Sequence, residues 1–234
     1  MAALEDGKVK LTDMVNAVGT YRFYGRKLED SNHGYGYGMI SVQEAFEKSS
    51  NVFAKIINDA YKREPHAYIE RLKSFGLADS LGLDIVGEPK PTMHEPGTPN
   101  WSGISLPWMA IGYEILQTPM QTLTFYNAVA NNGTMVKPQF VREIRRGNEL
   151  VKTFAPIIIN PKICSDKTLA DVKLCLEGVV KRGTGSDLKS AYFDIAGKTG
   201  TALILNEDMT YGEDGNKTYQ ASFVGYFPAQ DPIY

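Results

Sequence analysis

The sequence predicts an α+β fold: an antiparallel sheet flanked by helices, with a mainly helical part ahead of it. Three observations predict it. Helical signals with recognisable starts and stops dominate the first half of the chain. Strand patterns gather in the second half and are joined by turns and hairpins, not by helical crossovers, so the sheet is antiparallel. No internal repeat is visible, which argues against a solenoid or propeller.

The elements follow in order. Ser41-Val42-Gln43-Glu44 is a capping box and opens a helix running to about Lys48. Ser49-Ser50-Asn51 interrupts it, and Val52-Phe53-Ala54-Lys55-Ile56-Ile57 resumes a helical apolar face through Tyr61. Pro65 suits the first turn of the next helix and Gly76 its C-terminal stop. The stretch from Gly82 to Ser105 is rich in Pro and Gly and reads as loop, with Trp101 and Trp108 packing its end. Thr118-Pro119-Met120-Gln121 is a second capping box with Pro at the first helical position. That helix stops at Asn132-Gly133. Phe140 to Arg145 and Leu150 to Phe154, joined by Gly147-Asn148, read as a β-hairpin. Ser165 caps a helix whose buried face is Leu169, Val172, Leu176 and Val179, ending near Arg182-Gly183. A strand containing Lys198 follows, then a polar loop from Asn206 to Lys217, then a strand from Tyr219 to Phe227.

Bulk properties narrow the function. The chain has 234 residues, 43% hydrophobic and 22% charged, enough for one large domain or two small ones. A net charge of −2 without a run of like charges excludes nucleic-acid binding through a basic patch. No apolar stretch approaches the length of a membrane span, and the first residues do not read as a signal peptide. Cys164 and Cys175 are separated by a mostly helical segment, about 14 Å, whereas a disulfide needs under about 7 Å. Both are read as reduced and buried. His33, His66 and His94 are scattered without ligand spacing, so no metal site is expected.

Two short motifs carry chemistry. Lys198-Thr199-Gly200-Thr201 places a cation, two hydroxyls and a glycine on a strand. Glycine inside a strand is kept where a ligand or another backbone approaches closely. Ser49-x-Asn51 lies at the break between two helices. Taken alone it also reads as a kink whose polar side chains satisfy freed backbone groups.

With both motifs in one chain, the sequence resembles the penicillin-recognising serine acyltransferases, whose motifs are Ser-x-x-Lys, Ser-x-Asn and Lys-Thr-Gly. It is most similar to the transpeptidase domain of class B penicillin-binding proteins. Glu44 to Val52 is similar to the family's segment around its second motif. Met109 to Tyr113, Thr118 to Gln121 and Ala130 to Pro138 resemble its most recognisable helix and exit. Ala221 to Ala229 looks like its strand after Lys-Thr-Gly, and Ala2 to Gly7 like the end of the helix after its nucleophile.

The resemblance implies a beta-lactamase/transpeptidase-like fold and D-Ala-D-Ala transpeptidation of peptidoglycan through a serine acyl-enzyme, with beta-lactams as substrate mimics. Ser49 would relay a proton. Asn51 would orient the family's first-motif lysine and bind an amide carbonyl. Lys198 would supply positive potential and bond to Ser49. The Thr199 and Thr201 hydroxyls would hold the substrate carboxylate, the Thr201 N–H would give an oxyanion donor, and Gly197 and Gly200 would let the strand lie against an extended peptide. No metal or organic cofactor is implied. The implied partners are peptidoglycan stem peptides, beta-lactams, a cell-wall glycosyltransferase and morphogenesis proteins, with an inner-membrane anchor upstream and the domain in the periplasm. Other members of the fold, a beta-lactamase, carboxypeptidase or beta-lactam sensor, are the alternatives, as is a non-catalytic peptide-binding relative.

The chain departs from the family at the first motif. Its only Ser-x-x-Lys is Ser186-Asp187-Leu188-Lys189, in a Gly-rich turn ahead of the Lys198 strand, the wrong place for a nucleophile that opens a helix. Residues 1–234 are therefore read as a partial transpeptidase domain, truncated at both ends and expected to be inactive alone.

Overall fold

The structure, a computed structural model, describes residues 1–204 and 217–233. Helix α1 (Ala2–Glu5) leads into strands β1 (Met14–Ala17), β2 (Thr20–Phe23), β3 (Arg26–Glu29) and β4 (Gly38–Ser41). β1 pairs antiparallel with β4, and β2 with β3. The sequence reading, weighted to helices in this half, contains none of these strands. Each is four residues long and carries one buried residue at most, so no apolar alternation marks them.

Helices α2 (Val42–Glu47), α3 (Val52–Tyr61) and α4 (Pro65–Ser74) come next. The Ser41 box is present in both directions: Ser41 Oγ accepts the Glu44 N–H at 3.1 Å, and the Glu44 carboxylate accepts the Ser41 N–H at 2.9 Å. α4 starts on Pro65 and stops at Gly76, whose φ of +80° suits glycine. A Cβ there would also meet Met135 Sδ at 3.1 Å. The long loop carries β5 (Thr92–Met93) and ends at α5 (Ser105–Met109), a one-turn helix whose internal Pro107 hides it from a propensity reading. Trp101 packs against the main core and Trp108 meets Phe23 edge-on at 6.2 Å.

Strand β6 (Ile115–Leu116) pairs with β5. Helix α6 (Pro119–Ala130) begins at the Thr118 capping box and ends where Asn132 and Gly133 take positive φ. β7 (Met135–Val136) follows, then the hairpin β8 (Glu143–Arg146) and β9 (Glu149–Thr153), then β10 (Ile158–Asn160), which pairs with β7. Helix α7 (Asp166–Lys181) is capped by Ser165, whose Oγ accepts the Thr168 N–H at 3.2 Å. Leu169, Leu176 and Val179 are buried and Val172 packs against the same core.

The chain then enters β11 (Ala196–Ile204) and β12 (Thr218–Tyr226), which pair antiparallel in a continuous register with Lys198 opposite Val224. The polar loop expected over 206–217 lies outside the described residues except for Lys217. α6 and α7 pack over this ribbon. The main core gathers Tyr61, Ile69, Phe75, Val129, Leu176, Ala196 and Tyr226, so helices and ribbon share one interior. Fully burying a Val, Leu, Ile or Phe side chain contributes roughly 1.5–3 kcal/mol. Cys164 and Cys175 are buried and unpaired, and burial pushes their thiols up to about 11 and about 12.

Candidate active site

The site is built where α2 gives way to α3 and where β11 passes beneath that break. α2 ends at Glu47, and Ser49 takes a φ of +54°. A left-handed L-residue costs roughly 1–2 kcal/mol, so something must hold it. Backbone bonds from Ser49 N–H to Phe46 O at 3.0 Å and from Ser50 N–H to Ala45 O at 2.9 Å close the turn. Asp30, just beyond β3 and 3% exposed, accepts the Ser50 Oγ–H at 2.9 Å and the Asn51 N–H at 2.5 Å. Hydrogen bonds to a charged group are worth about 1.5–3 kcal/mol, enough to offset the strain. Burial raises the Asp30 pKa despite the two bonds that favour its anion. Asn51 caps no backbone group of α3. Its Nδ2 donates to Glu29 O at 2.6 Å, which fixes the amide by way of β3.

Lys198 arrives from the other side. Alternation along β11 puts it on the same face as the fully buried Ala196, which carries its ammonium inward. Its Nζ donates to Ser49 Oγ at 2.7 Å and to Thr199 O at 2.9 Å, and lies 5.8 Å from the centre of the Phe46 ring. Burial pushes the Lys198 pKa down to about 8. The group thus remains mainly protonated at neutral pH while holding its proton weakly. An ammonium donating to the Ser49 oxygen leaves the hydroxyl hydrogen free to point elsewhere, the arrangement a proton relay needs.

Thr199 and Thr201 are one strand period apart. Thr199 Oγ1 meets Thr184 Oγ1 at 2.6 Å. The Leu203 N–H, two positions beyond Thr201, donates to Tyr113 Oη at 3.4 Å, on the side of β11 away from β12. By the two-residue alternation of ladder groups, the Thr201 N–H faces the same open edge. That edge is where an extended chain could add as a further strand. The two glycines serve a different neighbour from the one expected. A Cβ at Gly197 would lie 2.3 Å from the Phe223 ring, and one at Gly200 would lie 2.6 Å from Ser222 Oγ. Their missing side chains make room for β12, not for the open edge.

The structure thus joins Lys198 to Ser49 and to the Thr199 carbonyl, with Asn51 on the same turn as Ser49. Sequence reasoning missed Asp30, Glu47, Thr184 and Arg182. Glu47 is 3% exposed and accepts from Arg182 Nη2 at 2.5 Å, Arg182 Nε at 3.1 Å and Gln43 Nε2 at 2.8 Å. Its carbonyl accepts the Thr184 N–H at 3.0 Å. The bond to Glu47 raises the Arg182 pKa further. A signal for this junction was present in Gly178 and Gly183, because a Cβ at either would fall within 2.0 Å and 2.1 Å of Glu47 oxygens, respectively. Ser186 sits exposed in a short 3-10 turn over Ser186–Leu188, after α7 and not at the start of an α-helix. A cavity of about 330 Å³ lined by Asp6, Lys8, Tyr61 and Arg71 contains none of these residues.

Comparison with known proteins gives one consistent result. A family model described as the penicillin binding protein transpeptidase domain matches residues 1–234. The penicillin-binding protein PbpB of Mycolicibacterium smegmatis is 30% identical over 100% of this chain and 36% of its own length. The peptidoglycan D,D-transpeptidase FtsI of Escherichia coli is 26% identical over 100% of this chain and 36% of its own. The chain thus spans about a third of the length of these curated relatives. Among solved structures, penicillin binding protein 3 of Mycobacterium tuberculosis, complexed with aztreonam, superposes with a TM-score of 0.80 at 25% identity. That match covers 99% of this chain and 52% of the other. The fold is the α+β architecture of these transpeptidase domains.

Proposed function

Because the chain belongs to the penicillin-binding protein transpeptidase family, we propose that it forms the substrate-holding wall of a serine D-Ala-D-Ala transpeptidase that cross-links peptidoglycan. The observation that carries this reading is the 2.7 Å bond from Lys198 Nζ to Ser49 Oγ, which joins two motifs 149 positions apart.

Each residue then has a role. Ser49 relays the proton between the nucleophile side and the leaving amine. Lys198 polarises Ser49 and attracts the carboxylate of the terminal D-alanine. Thr199 and Thr201 hold that carboxylate through their hydroxyls. The Thr201 N–H, on the open edge, donates to the oxygen that becomes negative in the tetrahedral intermediate. Asn51 binds a substrate amide, and the stem peptide lies along β11 as an added strand. A beta-lactam occupies the same site. The attacking serine comes from a Ser-x-x-Lys segment, and Ser186 does not fill that role. The same reading puts the domain on the outer side of the inner membrane, in the periplasm, with lipid-linked precursors and a cell-wall glycosyltransferase as partners. Among the described residues no helix is long and apolar enough to cross a membrane.

Covalent labelling by a fluorescent penicillin tests this. The chain alone is expected to stay unlabelled. The chain with a relative's Ser-x-x-Lys segment joined ahead of Met1 is expected to label on that serine. A folded graft that never labels would refute the reading. An adduct on the chain alone that vanishes in Ser186→Ala would move the nucleophile to Ser186.

A further inference from the structure

We propose that Asp30 is a positioning residue for the Ser49–Lys198 pair, acting through the turn that carries Ser49. Its meaning for catalysis rests on the function proposed above; the geometry does not. Asp30 lies outside every motif of the sequence, and its carboxylate bonds go to neither Ser49 nor Lys198. It is nonetheless 3% exposed, and that carboxylate is spent on the two residues that follow Ser49. One oxygen takes the Ser50 hydroxyl and the other takes the Asn51 N–H. The adjacent Glu29 carbonyl takes the Asn51 side chain. The end of β3 and the residue after it, Glu29 and Asp30, therefore hold three groups of the turn.

A buried carboxylate is a costly way to anchor a turn unless the turn must hold an unfavourable shape. Ser49 is in such a shape, with a φ of +54°. With Asp30 in place, Ser50 and Asn51 cannot follow Ser49 into an ordinary backbone conformation. With it gone, the turn can relax, the Ser49 hydroxyl leaves Lys198, and water reaches the ammonium. The Tyr21 hydroxyl is buried beside the same cluster, where burial first and the Asp30 charge after it raise its pKa.

The sign of one shift separates positioning from simple charge. Removing a nearby anion would lower the pKa of a lysine. Hydrating a lysine whose pKa is depressed by burial raises it, and burial is the cause at Lys198.

The experiment is an NMR titration of this chain with 13C-labelled lysine, following Lys198 Cε, assigned by its loss in Lys198→Met. The wild-type midpoint is expected near 8. Asp30→Asn is expected to raise it by about one pH unit or more, and Ser50→Ala, which removes one of the two carboxylate bonds, by less. The Asn51 amide proton, shifted far downfield by its bond to a carboxylate, should move upfield in Asp30→Asn. A folded Asp30→Asn whose Lys198 midpoint stays put or falls overturns the proposal. If Asp30→Asn does not fold, Ser50→Ala decides alone, and an unchanged midpoint there overturns it. Failure here with a graft that still labels with penicillin removes the role of Asp30 and leaves the proposed function standing.

Discussion

Gly178→Ala sets two physical arguments against each other. Gly178 lies inside α7, where alanine is favoured over glycine by about 0.5–1 kcal/mol. Propensity alone therefore expects a more stable protein. The structure expects the reverse. An added Cβ would lie 2.0 Å from Glu47 Oε1 and 2.5 Å from its Cδ, and the carboxylate would have to move. It is buried, bonded twice by Arg182 and once by Gln43. Overpacking costs about 1–3 kcal/mol, and fully breaking a buried ion pair about 3–5 kcal/mol. A partial displacement less the helix gain leaves a net loss of about 2 kcal/mol. For a chain of this size that lowers Tm by about 4–8 °C. The assay is thermal unfolding followed by circular dichroism, with Glu47→Ala as the background control. In that background the clash is gone, and Gly178→Ala should be neutral or stabilising. A Gly178→Ala protein that melts at or above the wild-type temperature would refute the packing argument at this junction.

Two further outcomes are expected. Arg182→Ala should cost about 2 kcal/mol in chemical denaturation, less than a fully buried pair because the guanidinium side is 54% exposed, and Arg182→Lys should recover part of it. A loss below about 0.5 kcal/mol would place Glu47's support in Gln43 and the backbone instead. The second outcome concerns pH. The folded pKa of Lys198, about 8, lies below the ordinary 10.5, so the unfolded chain binds more protons between those values and stability rises with pH there. Between about pH 8 and 9.5 the gain is about 1.5 kcal/mol. The buried thiols and the Tyr226 hydroxyl, whose pKa values are raised, oppose it, so the gain is read as wild type minus Lys198→Met. A difference that does not change over this window would contradict the burial of the ammonium.

Much of the scaffold was legible because helix ends are written locally. Ser41, Thr118 and Ser165 each signal a start within four residues, and Gly76 and Gly133 each mark a stop. The Lys-Thr-Gly strand and its antiparallel partner were legible from glycine and β-forming residues in sequence. Strands β1 to β4 were not, because short exposed strands bury too little to impose a period of two. Within the site, Ser49, Asn51, Lys198 and Thr199 were legible as motifs. Asp30 and Arg182 were not: Asp30 acts from afar in sequence on a turn whose strain appears only in φ, and Arg182 acts on Glu47, 135 positions away. Gly197 shows the opposite failure: its identity was read correctly as a close approach, but the neighbour is Phe223 of the same ribbon.

The central claim is that Lys198 and Ser49 work as one unit in acyl transfer. Its most direct test is the second-order acylation rate of the penicillin-reactive graft, measured with Lys198→Ala, Ser49→Ala and both together. Losing such a preorganised group is expected to slow acylation by roughly 100-fold or more, with the double substitution little worse than either single one. Two independent losses that multiply, or a Lys198→Ala protein that acylates at the full rate, would contradict the account.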